Sequence, residues 1–80
     1  MNHLEKYNNA FIEIFKVSGD MLADLEYQGI EAWDSVGHMQ LIAELEDVFD
    51  IMFDTDDIID FSSYNVGKEI LKKYEVELGK

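Results

Sequence analysis

The sequence predicts an all-α domain, a four-helix bundle of three longer helices and one short third helix, with a long loop between the first helix and the second. Three observations predict it. Apolar residues recur at spacings of three and four in three separate stretches, the pattern of amphipathic helices. Asp, Ser or Thr residues able to cap a helix stand before the last three of the four elements. Nowhere do apolar and polar residues alternate as in a half-buried strand, and no repeat or linker divides the chain, so residues 1–80 form one domain.

In the first helix, over residues 3–17, Leu4, Tyr7, Phe11, Ile14 and Phe15 form the core face. Ser18-Gly19-Asp20 ends it, with Gly19 able to take the left-handed conformation of a helix cap. The connection from Ser18 to Trp33 carries Met21, Leu22, Leu25, Tyr27 and Ile30, apolar residues that can anchor a long loop over the other helices. Part of residues 20–26 can equally be a short helix. The second helix starts at Asp34-Ser35 and runs to Phe49, with Trp33 placed to fold back on its first turn. No Glu or Gln lies three residues beyond Asp34 or Ser35, so the cap must be one of those two residues themselves. Asp54-Thr55-Asp56-Asp57 opens a short third helix over residues 55–61, too brief to persist without tertiary packing. Ser62-Ser63 caps the fourth, where Val66, Ile70, Tyr74 and Leu78 share a face.

At about 100° per residue, the second helix has two distinct sides. Leu41, Ile42, Leu45, Val48 and Phe49 fall toward the core, and His38 turns the same way. Val36, Gln40, Ala43 and Asp47 fall opposite, flanked by Met39 and Glu46. Half apolar and half acidic, that second stripe suits a docking surface. Scattered apolar residues on a solvated face are the plainer explanation of it.

Charge narrows the choice of partners. Eighteen Asp and Glu against six Lys and Arg give a net charge of −12, and residues 31–60 hold ten of the acids. Such a field repels nucleic-acid phosphates and anionic headgroups, so neither nucleic acid nor a membrane surface is an expected partner. Basic protein surfaces are. With no cysteine there is no thiolate and no disulfide framework, so any thiol chemistry must be imported. The first residues, Met1 to Lys6, lack the basic and apolar regions of a secretion signal, and the expected location is the cytoplasm.

Asp34-Ser35-Val36, followed by Leu41, Leu45 and Phe49 in an acidic chain of this length, resembles the phosphopantetheine attachment motif of acyl carrier proteins. The resemblance extends over nearly the whole chain. It implies a 4′-phosphopantetheine arm, donated by coenzyme A, on the Ser35 hydroxyl, and a role for Asp34 in the metal-dependent attachment step. A helix N-terminus, with its free N–H groups and positive dipole end, favours a phosphate at that position. The implied partners are a phosphopantetheinyl transferase, an acyl- or aminoacyl-activating ligase, and acyl-transfer or synthase enzymes with basic patches. The implied protein is a monomeric carrier and not an enzyme, its partner face comprising Val36, Met39, Gln40, Ala43, Glu46 and Asp47. Gly37 and Gln40 depart from the acids that many fatty-acid carriers have there, which points to a dedicated pathway. An aminoacyl or peptidyl carrier is the alternative within the class, since Trp-Asp-Ser also resembles carriers served by adenylating ligases. An unmodified acidic adaptor for basic surfaces is the alternative outside it.

Other chemistry fits the residues poorly. His38 with Ser35 and Asp34 suggests a hydrolytic triad, but adjacent Asp34 and Ser35 cannot both be arranged about the imidazole as a triad requires, and nothing supplies an oxyanion hole. From Asp54, a calcium loop fails at its fifth, sixth and twelfth positions, which are Ile58, Ile59 and Asn65. His3 reads as an exposed terminal residue, and two separated histidines without cysteine make no zinc site.

Overall fold

Four α-helices and one 3₁₀ helix order the chain in the computed structural model, which describes residues 2–78: α1 (His3–Phe15), a 3₁₀ helix (Gly19–Asp24), α2 (Ser35–Phe49), α3 (Thr55–Asp60) and α4 (Tyr64–Lys73). Among the described residues there is no strand, only an isolated antiparallel bridge between Glu26 and Ser63. The result is a small all-helical domain in which α1 packs chiefly against α2.

α1 begins with a capping box that inspection of the apolar pattern does not register. Asn2 Oδ1 accepts from Glu5 N at 2.8 Å, and Asn2 N donates back to Glu5 Oε1 at 3.2 Å. The other end corrects the expected cap. Lys16, not Gly19, takes the left-handed conformation at φ 57°, and its N–H donates to Ile12 O. The first helix therefore stops two residues early, and Gly19 opens the 3₁₀ turn instead.

Between α1 and α2, the long connection is fixed at three places. Leu22 and Leu25 are buried; Tyr27 N donates to Ser62 O at 2.9 Å and Tyr64 N to Leu25 O at 3.0 Å; Trp33 is fully buried. Met21 and Tyr27, expected as anchors, stay exposed. Trp33 meets Phe11 and Phe15 with ring centroids 5.6 and 5.1 Å away, and Phe61 closes the cluster from beyond α3. Aromatic pairs in such tilted and offset arrangements gain energy beyond their area, and truncating a ring of this cluster to Ala should cost about 3–5 kcal/mol.

α4 differs most from the reading of its sequence. Ser63 does cap it, its Oγ accepting from Val66 N at 3.0 Å. Its buried residues are Tyr64, Gly67, Ile70 and Leu71, whereas Val66 is exposed. Tyr7 donates from its hydroxyl to Tyr64 O at 2.6 Å, which ties α1 to the first turn of α4. Gly67 lies under that contact, where an added Cβ would come within 2.3 Å of the Tyr7 hydroxyl and 2.2 Å of Phe61. The helix ends at Lys73, so Leu78 reaches the core from the segment beyond it.

A buried carboxylate joins α3 to α4. Asp57 is 3 % exposed and accepts from Lys73 Nζ and the Tyr74 hydroxyl, both at 2.5 Å, while Asp54 N donates to the same tyrosine oxygen at 2.9 Å. The Lys73 and Tyr74 hydrogen bonds hold the Asp57 carboxyl below the usual carboxylate range, and Asp57 in turn pushes Lys73 up.

Candidate functional site at the start of α2

Asp34 is the cap of α2. Its backbone is extended and its Oδ1 accepts from Gly37 N at 2.8 Å. This decides between the two candidate caps and leaves Ser35 as the first residue inside the helix, exposed, with its hydroxyl outside the capping arrangement. The N–H groups of the first turn have no intrahelical acceptor, so the serine hydroxyl stands at the positive end of the helix.

Gly37 explains how tightly this corner is built. A Cβ there would lie 2.0 Å from Ala32 O and 3.2 Å from the Phe15 ring, so only glycine lets α2 start this close to the incoming chain. Trp33 N donates to Ile30 O at 3.2 Å and Gln28 N to Trp33 O at 2.9 Å, fixing the approach from the other side.

His38, one turn into α2, bridges two elements. Trp33 Nε1 donates to its Nδ1 at 2.9 Å, and its Nε2 lies 2.8 Å from Ile58 O in α3. An indole N–H can only donate and a carbonyl can only accept, so the ring is neutral with its proton on Nε2. Both nitrogens are thereby engaged away from Ser35. That geometry leaves no imidazole nitrogen to serve as a base toward the serine.

Beside Ser35 lies an open groove of about 360 Å³ with mainly apolar walls, formed by Tyr27, His38, Met39, Ile58, Ile59 and Phe61. The sequence gives no sign of this groove, because its walls come from three segments that only the fold brings together. His38, about one turn past the cap, was the one polar residue on the inner side of α2 near it.

The outward stripe of α2 falls largely where its periodicity places it. Val36 is 66 % and Met39 53 % exposed, and Gln40, Ala43 and Asp47 also face solvent. Glu46 is the exception: half-buried, its Oε2 accepts from Phe53 N at 2.9 Å and holds the turn after α2. Among the described residues no three His, Cys, Asp or Glu side chains gather as a metal site, and no helix is long and apolar enough to cross a membrane. No protein-family model matches the chain, and no curated protein matches it either.

Proposed function

We propose that this chain is a discrete acyl carrier protein, modified with 4′-phosphopantetheine at Ser35 and serving other enzymes in a dedicated cytoplasmic pathway. One observation carries the reading: an exposed serine at the head of α2, spared from capping by Asp34, opens beside an apolar groove. The residues suit the group. A phosphate on the Ser35 oxygen meets the positive end of α2 and the first-turn N–H groups that Asp34 leaves uncapped, and the groove offers apolar contact to whatever hangs nearby. When bound, the arm supplies a thiol that carries an acyl group as a thioester.

The protein's own residues then position and present. Asp34 holds the first turn through Gly37 N and assists attachment, while Trp33 and Gly37 set the height of Ser35 above the core. Val36, Met39, Gln40, Ala43 and Asp47 offer a mixed apolar and acidic surface to the transferase, ligase and acyl-transfer enzymes, whose basic patches the charge of −12 attracts. Glu46 contributes to the field while holding the turn at Phe53. On this reading the four α-helices are the carrier bundle, the 3₁₀ helix is part of its long loop, and the protein acts as a monomer. A panel of activating ligases offered fatty, hydroxy and amino acids tests the cargo: thioester formed with a fatty or hydroxy acid supports the acyl carrier, and thioester formed with amino acids alone replaces it with the aminoacyl carrier.

A further inference from the structure

We propose that His38 is a proton-operated latch between the start of α2 and α3, which fixes the wall of the groove beside Ser35 while the ring is neutral and frees it when the ring gains a proton. The geometry makes the latch sensitive to one proton. Neutral His38 receives the Trp33 N–H on Nδ1 and donates its Nε2 proton to Ile58 O. A proton taken from solvent onto the Nδ1 lone pair turns that acceptor into a donor facing the indole N–H. Two donors cannot share the contact, and one must move.

What moves is set by burial. Trp33 is fully buried between Phe11, Phe15 and Phe61, whereas His38 is half-buried and forms part of the groove wall. Both nitrogens belong to one rigid ring, so an imidazolium that turns from the fixed indole toward the groove carries Nε2 off Ile58 O as well. α3 has six residues, too few to hold their helix without tertiary contacts, so losing this bond loosens Ile58 and Ile59 in particular.

Among the described residues no carboxylate pairs with the ring, and the groove side offers the charged form hydroxyl oxygens. Tyr27 touches it, with centroids 5.3 Å apart, and is the ionisable side chain facing it from the loop; Phe61 meets it from beyond α3. On α2 the Asp34 carboxylate is turned to Gly37 N, and on α3 Asp57 is turned to Lys73 and Tyr74. Ser35 and Ser62 complete this side of the groove without charge.

The latch itself does not depend on the carrier reading; its consequence, control over where a group tethered to Ser35 can rest, does. The test uses the full chain bearing Ser35→Ala, which cannot be loaded, so its outcome is separate from that of any loading assay. NMR follows the single indole N–H, the His38 ring protons and the amides of residues 58–61 as pH is lowered from about 8 until the fold is lost. Expected is one shared transition for the indole and His38, with His3 as an independent control. Amide protection of residues 58–61 should fall about fivefold across it, as loss of one hydrogen bond of about 1 kcal/mol gives. His38→Gln, which has an acceptor and a donor but no proton to gain, should abolish the transition and keep the high-pH protection. An indole resonance indifferent to His38 titration, or a transition persisting in His38→Gln, overturns the latch.

Discussion

Asp34, not Ser35, caps α2, although serine serves that purpose at many helix starts. Because Asp34 is the cap, Ser35→Ala removes a hydroxyl that holds no part of the helix, and stability should change by no more than about 0.5 kcal/mol in denaturant unfolding. Asp34→Ala should cost about 1 kcal/mol by the same measurement. If the two losses came out reversed, the capping assignment would be wrong. Gly37 is a third residue whose identity the fold dictates. Gly37→Ala forces a Cβ against Ala32 O, and thermal unfolding should show a loss of about 1–3 kcal/mol even though alanine is the better helix former. The resemblance presented Gly37 as a missing acid near the serine. A glycine needed for close approach looks the same in a sequence, because the carbonyl it clears is fixed only when the loop has folded over it.

At the scale of elements, short α3 depends on its ties, and one of them is charged. Asp57, held below its ordinary value of 3.8 by Lys73 and then Tyr74, stabilises the fold fully above that value and loses its contribution as pH falls through the depressed one. Lys73, pushed above 10.5 chiefly by its bond to Asp57, contributes fully below that value and fails as pH rises through the raised one. Asp57→Asn should therefore unfold at lower temperature through the neutral range, with the gap from wild type closing in acid below about pH 3.8. A gap that stayed constant into strong acid would remove the tie from the account. Neither the pairing of Asp57 nor the outward turn of Val66 could be read from the chain, since the spacing of Val66, Ile70 and Tyr74 suits a helix face as well as Tyr64, Gly67 and Leu71 do. α1 and α2 were more legible. Of their expected core residues Tyr7, Phe11, Phe15, Leu41, Ile42 and Leu45 are buried and Leu4, Ile14, Val48 and Phe49 half-buried, because long helices have enough turns for one period to stand out. Glu46 shows the limit of the same logic: its angle on α2 is right for a docking face, yet the turn at Phe53 folds back to use it. Asp47→Lys is thus the cleaner probe of docking. It should slow transfer by partner enzymes at low salt without altering helix content, and the effect should shrink as salt screens it.

Across the whole molecule, the acids are excluded from the core with the exception of Asp57, and an aromatic interior built around Trp33 carries the packing. On the proposed reading, net charge attracts basic partners with little selectivity, and specificity comes from the small region around Ser35, where apolar Val36, Met39 and Ile59 break the charge. The helical class was legible because periodicity and capping residues agree along the chain. The groove was not, being a property of how α2, α3 and the long loop meet. The attachment of a prosthetic arm at that meeting point is the central claim. The most direct test is intact mass after incubation with coenzyme A, magnesium and a broad-specificity phosphopantetheinyl transferase, with fragmentation to locate the change. The account predicts a gain of one phosphopantetheine on Ser35 and none in Ser35→Ala. No gain with several active transferases, or a gain at any other residue, would contradict it and leave an acidic helical adaptor as the better description.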